Sequence, residues 1–198
     1  MKSRSLSPSL SPLRILGGIA LLLLSGLMVF RSVGTSWAQV LYHEAKYGDA
    51  ARDPEKILRY CARAWTLYPH HYRFCEWAAH AAYYSGAAGR AEERRRLSRL
   101  WCERGLGLNQ YQRELRWMMA QFLWEKSPEE GRAYWETYVE WDFWSPYAHA
   151  VLAEMYARSG NFQRAESELQ WTQNSEFYPT TRQTLMDLRR KAASGTAR

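Results

Sequence analysis

From Ile15 to Phe30 the chain runs sixteen residues without a charge, with Leu21, Leu22, Leu23 and Leu24 at the centre and Arg14 and Arg31 at the two ends. A soluble core helix interrupts its apolar residues with polar ones at helical spacing, and no such pattern occurs here. Sixteen residues fall slightly short of the ~20 that cross a bilayer; Leu13 and the snorkelling stems of the two arginines make up the difference. Residues 13–31 are therefore expected to form a transmembrane helix, with the membrane as the chain's first partner.

Charge gives this segment a direction. Lys2, Arg4 and Arg14 precede it in a Ser/Pro-rich leader without acids, whereas after Arg31 no Lys or Arg appears until Lys46. The positive-inside rule places residues 1–12 in the cytoplasm as a tail, and everything after Phe30 across the membrane. For a bacterial inner membrane that means a single pass and a periplasmic C-terminal domain. A cleaved signal peptide is the rival reading, since Ser36-Trp37-Ala38 offers small residues at the two positions a signal peptidase reads and would leave Gln39 as the new N-terminus. The length of the apolar run and the intervening Arg31 favour an uncleaved anchor.

Beyond the anchor, 46% hydrophobic and 24% charged residues allow a packed core. Ten Trp and thirteen Tyr against twelve Gly and seven Pro, with no alternating pattern closed by hairpin dipeptides, predict an all-α chain. The net charge of +7 raises nucleic acid or anionic lipid as partners. However, Arg90, Arg94, Arg95, Arg96, Arg99 and Arg104 are interleaved with Glu92, Glu93 and Glu103, as on a solvated, salt-bridged helix face. No nucleic acid is expected; contact with acidic lipid headgroups or an acidic partner is the second reading of this stretch.

Motifs for chemistry are missing from the sequence. His43, His70, His71, His80 and His149 are scattered, and none pairs at a ligand spacing with a carboxylate or Cys, so no metal is expected. His70-His71 reads as the cap of a turn. Cys61, Cys75 and Cys102 are odd in number and read as small buried hydrophobes. Cys61 and Cys75 flank the turn at Pro69 symmetrically, which leaves a disulfide open in an oxidising compartment. There is no phosphate-binding Gly loop, haem-attachment motif or nucleophile elbow, and neither a catalytic residue nor a cofactor is expected.

Self-similarity is clearest from Pro146 to Pro179, where Leu152, Ala153, Tyr156, Gly160, Phe162, Ala165 and Leu169 stand at the spacings of a helix-turn-helix repeat. This segment resembles a tetratricopeptide repeat. It departs from that pattern in Thr172, where a second-helix Ala is usual, and in Pro179, about two residues late. Weaker units precede it. Ala64, Trp65 and Pro69 match the end of a first unit whose first helix holds Tyr42 and Ala45 and whose second begins at Asp53-Pro54. Trp77, Ala78 and Ala79, closed by Gly86 and followed by Ala91, make a second from Tyr72 to about Asn109. A third pairs Tyr111 to Lys126 with a helix opening at Ser127-Pro128-Glu129-Glu130. Thr180 to Ala193 reads as a capping helix. The expected fold is thus an N-terminal transmembrane helix followed, over residues 37–193, by a tetratricopeptide-like α-solenoid of antiparallel helix pairs, with 194–198 as a disordered tail.

The resemblance implies a partner-binding groove lined by the first helix of each repeat. In these registers the second unit presents Arg73, Glu76, His80, Tyr83 and Tyr84; the third presents Glu114, Trp117, Gln121, Trp124 and Glu125; the fourth presents Tyr147, Glu154 and Arg158. Such a mixture of stiff aromatics and charges suits protein partners. Trp117 and Trp124 share one helical face and fit core and groove equally. Trp135, Trp141, Phe143 and Trp144 read as core between repeats, with an exposed docking patch as the alternative. The implied role is a non-catalytic scaffold or accessory subunit of a membrane complex, bound to other membrane or periplasmic proteins. An accessory role in envelope glycan synthesis or export is the rival, with the tryptophans stacking on sugar rings.

Overall fold

The computed structural model describes residues 12–85 and 91–195, with side chains from Ile15 onward. Expectations for the 1–11 tail, the side chains of Leu13 and Arg14, Gly86 as a helix closer, Arg90 and residues 196–198 lie outside the described residues. Among the described residues the chain is all-helical, with no strand, and it divides into two compact units, residues 1–70 and 71–198.

The first unit is dominated by α1 (Pro12–Tyr47), whose 36 residues span about 54 Å at 1.5 Å per residue. It carries the one described helix long and apolar enough to cross a membrane. The expected anchor and the expected first repeat helix are one uninterrupted helix, because no Pro stands between Arg31 and Trp37 to break it. Ile15 to Phe30 is exposed throughout, whereas Ala38, Leu41 and Ala45 are buried, at the spacing of three and four that makes a stripe. A 3₁₀ turn, Asp49–Arg52, leads to α2 (Pro54–Leu67). There Asp53 caps the helix, its carboxylate accepting from the Glu55 and Lys56 N–H groups at 2.9 and 3.3 Å, with Pro54 in the first turn. The helix packs back along α1, burying Ile57, Leu58, Cys61 and Ala64.

The second unit contains α3 (Tyr72–Tyr84), α4 (Ala91–Leu108), α5 (Arg113–Lys126), α6 (Pro128–Trp141), α7 (Pro146–Arg158), α8 (Phe162–Gln170) and α9 (Phe177–Ala193). Most starts are set by a side chain that accepts a first-turn N–H: His71 for α3, Gln112 for α5, Ser127 for α6, Ser145 for α7 and Asn161 for α8. Each helix packs on the next in the chain, and α7 also packs on α9. The helix at the C-terminus begins at Phe177 rather than Thr180. Pro179 is tolerated there because a first-turn N–H has no intrahelical partner to lose.

The best-patterned segment packs as its residues require. Ala153 and Ala165 are fully buried, Leu152 and Tyr156 are buried, and Phe162 and Leu169 lie half-buried against the same core. Gly160 ends α7 at φ +78°, a conformation a side chain would strain. Thr172, where Ala was the norm, is buried with its hydroxyl donating to the Leu169 carbonyl at 2.7 Å, which removes the cost of its polarity. Trp135 fills the centre of this core, its indole N–H donating to the Ala148 carbonyl at 3.0 Å.

Close approach is most demanding where α5 meets α6. A Cβ on Gly131 would stand 2.6 Å from the Trp124 backbone nitrogen, inside any real contact, and the obstacle is backbone that cannot swing aside. Gly131→Ala is accordingly expected to destabilise the protein by about 1–3 kcal/mol through overpacking, despite the better helix propensity of Ala. Denaturant unfolding of the full chain in detergent measures it, and unchanged stability would contradict this packing.

Candidate partner-binding surface

Five of the thirteen residues expected in the groove line one cleft of about 110 Å³ between α5 and α7. It is lined by Trp117, Gln121 and Trp124 from α5 and by Val151, Glu154, Met155 and Arg158 from α7. The spacing explains the convergence: 117, 121 and 124 share one face of a helix, as do 151, 154, 155 and 158. Both tryptophans are half-buried, their inner edges packed on the core and their outer edges on the cleft. They serve core and surface together. Glu154 and Arg158 pair along α7, with the guanidinium Nε donating to the carboxylate at 3.0 Å.

A second group lies around Tyr147. Burial pushes its phenol up to about 12, and the neighbouring charges that act on it include Glu114, Arg113 and Glu154. The Arg113 guanidinium sits over its ring, 4.7 Å from the centroid. His80 stacks on Tyr84 with centroids 5.8 Å apart. Burial holds its imidazole below the usual histidine range, an effect that Glu114 opposes. Glu76 accepts from the Gln112 side-chain amide at 3.0 Å.

Other expected groove residues are turned elsewhere. Glu125 pairs with Arg95 of α4 at 3.5 Å and lines a different cleft with Glu92, Arg96, Arg99, Phe122 and Lys126. Tyr83 packs edge-on against Phe122 of that same cleft, 5.6 Å between centroids. Arg73 is exposed in the first turn of α3, its backbone N–H donating to His71 Nδ1 at 3.3 Å. The arginine-rich helix has the expected mixed face, with Arg99 and Glu103 paired at 3.0 Å. Arg94 departs from it and is buried.

The aromatic cluster after α5 corrects an expectation. Only Trp135 is core; Trp141, Phe143 and Trp144 are 50%, 44% and 76% exposed. They end α6 and occupy the connection to α7, where no later helix covers them. Trp141 stacks instead on Tyr111, 4.2 Å between centroids and 14° from parallel.

One constellation escaped the sequence entirely. His149 is buried on α7, with Nδ1 2.6 Å from a Glu168 carboxylate oxygen and Nε2 donating to the Phe143 carbonyl at 2.8 Å. Its ring stacks on Trp171 at 5.0 Å. Nineteen residues separate His149 from Glu168, so only the packing of α8 on α7 brings them together. The clamp fixes the 142–145 connection to α8.

Cys61, Cys75 and Cys102 are fully buried. Burial pushes the thiols of Cys75 and Cys102 up to about 12, which suppresses thiolate chemistry. No group of three or more His, Cys, Asp or Glu among the described residues is placed to hold a metal ion. No protein-family model matches the chain, and no curated protein matches it.

His71 and His80 both have lowered affinity for a proton in the folded chain, in each case chiefly through burial. Below the ordinary value of about 6.5 the unfolded chain therefore binds more protons than the folded one at these sites. Their contribution to stability is intact above that pH and is lost as pH falls through the lowered values. Asn caps α3 without titrating, so His71→Asn with His80→Gln is expected to flatten the loss as pH falls below about 6.5. Parallel melting curves for parent and double variant across that window would contradict the assignment.

Proposed function

We propose that this chain is a single-pass scaffold or accessory subunit of a bacterial membrane complex. It is anchored by α1, binds other membrane or periplasmic proteins through a tetratricopeptide-like array of antiparallel helix pairs, and catalyses no reaction. The observation that carries the reading is the convergence of Trp117, Gln121, Trp124, Glu154 and Arg158 on one cleft. These positions belong to two separate repeat units whose first helices are expected to share a groove. The charge asymmetry about Ile15 to Phe30 supports a cytoplasmic N-terminus and a periplasmic domain. Activity of an alkaline phosphatase fused to the C-terminus tests this orientation; an inactive fusion that is stably made would reverse it.

The cleft's size favours a protein partner over a glycan. About 110 Å³ admits one side chain and is well below the roughly 300–1,000 Å³ of small-molecule sites. In this reading an apolar partner side chain enters between the two tryptophans, and Gln121, Glu154 and Arg158 meet polar groups at its edge.

A photo-crosslinking residue at Val151 in intact membranes is expected to give a discrete protein adduct. Placing a charge in the cleft with Gln121→Arg, at a half-exposed position, should lower its yield about tenfold, the scale of a hot-spot loss. An equal yield from a variant that melts like the parent would refute the groove.

A further inference from the structure

The first unit holds a cleft of about 300 Å³ where α2 ends beside α1, lined among others by Phe30, Arg31, Thr35, Leu67, Tyr68 and His70. Its depth along α1 follows from helix lengths. Residues 34–47 of α1 and the 14 residues of α2 are each about 21 Å long, joined at the far end by the 3₁₀ turn. The second helix therefore returns to the level of Gly34, where a Cβ would stand 3.8 Å from the Leu67 carbonyl oxygen. That level is four residues, about 6 Å, beyond the end of the charge-free run at Phe30.

The cleft's lining combines apolar and charged groups. Phe30 is 77% exposed on α1 and Leu67 is 40% exposed on α2 in the same lining. Arg31 follows Phe30 on α1 and lines the same cleft, and its guanidinium suits a phosphate. The Thr35 hydroxyl is already committed, donating to the Arg31 carbonyl at 2.9 Å, and Arg31 is the one Lys or Arg among the described residues of the lining. Opposite it is the carbonyl end of α2, the negative end of a helix dipole, which suits a cation. A bare anion would meet those carbonyls unfavourably. A headgroup with a phosphate and a primary ammonium matches both charges, and an acyl chain can lie against Phe30.

We infer that this cleft binds one phospholipid of the phosphatidylethanolamine type, with the phosphate on Arg31 and the ammonium on the α2 carbonyl end, fixing the α1–α2 hairpin at the membrane surface. The inference rests on α1 being a membrane anchor.

The test is native mass spectrometry of the full chain in non-ionic detergent, with phosphatidylethanolamine, phosphatidylcholine and phosphatidylglycerol of identical acyl chains at equal concentration. One phosphatidylethanolamine molecule should be retained about tenfold over the other two, as expected for charge-assisted hydrogen bonds that choline and glycerol headgroups do not complete. Arg31→Gln, at an exposed position that leaves the fold intact, removes the phosphate contact the three lipids share and should lower phosphatidylethanolamine retention about tenfold, and Leu67→Asp should likewise lower retention of all three lipids. Equal retention of the three by the parent, preference for phosphatidylglycerol, or unchanged phosphatidylethanolamine retention by a folded Arg31→Gln variant would overturn the inference. Carbonate extraction separates the two failures: a chain released from membranes defeats the anchor, whereas one that stays but retains no phosphatidylethanolamine defeats the lipid site.

Discussion

Close contact between helices through small residues is the constraint on which the second unit depends. Ala78, Ala79 and Ala82 on α3, Gly105 on α4, Ala120 on α5, Gly131 on α6, Ala148, Ala153 and Ala157 on α7 and Ala165 on α8 are all buried. None of these short helices can bury its apolar face alone, so each needs a neighbour near enough for dispersion contacts to count. Backbones that approach this closely leave little room between them for large side chains. Trp135, Tyr138 and Tyr156 occupy the central space, and Trp117, Trp124, Trp141, Phe143 and Trp144 lie at the margins. The half-buried tryptophans of the α5–α7 cleft and the exposed Trp141, Phe143 and Trp144 thus share one physical origin.

The sequence made the helices legible wherever a cap and an apolar stripe agreed. Asp53-Pro54, Ser127-Pro128 and Ser145-Pro146 each combine a side-chain acceptor with a proline that fits the first turn, and helices begin there. It was weaker wherever nothing punctuates the chain. No breaker separates the apolar run from the Tyr42 region, so two expected elements are one helix. Pro179 looked like the end of a repeat but is compatible with a helix start.

The candidate surface was legible to the extent that one helix face determines it. Trp117, Gln121 and Trp124 needed only the register of α5. Tyr83 and Tyr84 are adjacent, about 100° apart around α3, and only the second stacks on His80; a one-residue ambiguity assigns them to different surfaces. Pairs that join helices, such as Arg95 with Glu125 and His149 with Glu168, have no sequence signal, because their partners are chosen by tertiary packing.

Charge and apolar pattern mark different ends for the candidate span in α1. Arg31 marks the end of the charge-free run, yet Val33, Trp37 and Val40, at intervals of four and three, remain 63%, 51% and 49% exposed on the helix. They form an apolar stripe beside the buried stripe of Ala38, Leu41 and Ala45. A guanidinium on a long apolar stem can reach the headgroups from below the surface, so Arg31 need not mark the edge of the hydrocarbon. Trp37 is the residue type that settles at that edge. An anchor bounded by Trp37 rather than Arg31 reaches the ~20 residues a span requires without help from the leader. If α1 is the anchor proposed above, Leu67 and Tyr68, at the returning end of α2 and level with Gly34, would lie on the membrane side of Trp37, where an exposed apolar side chain beside a phenol is favourable.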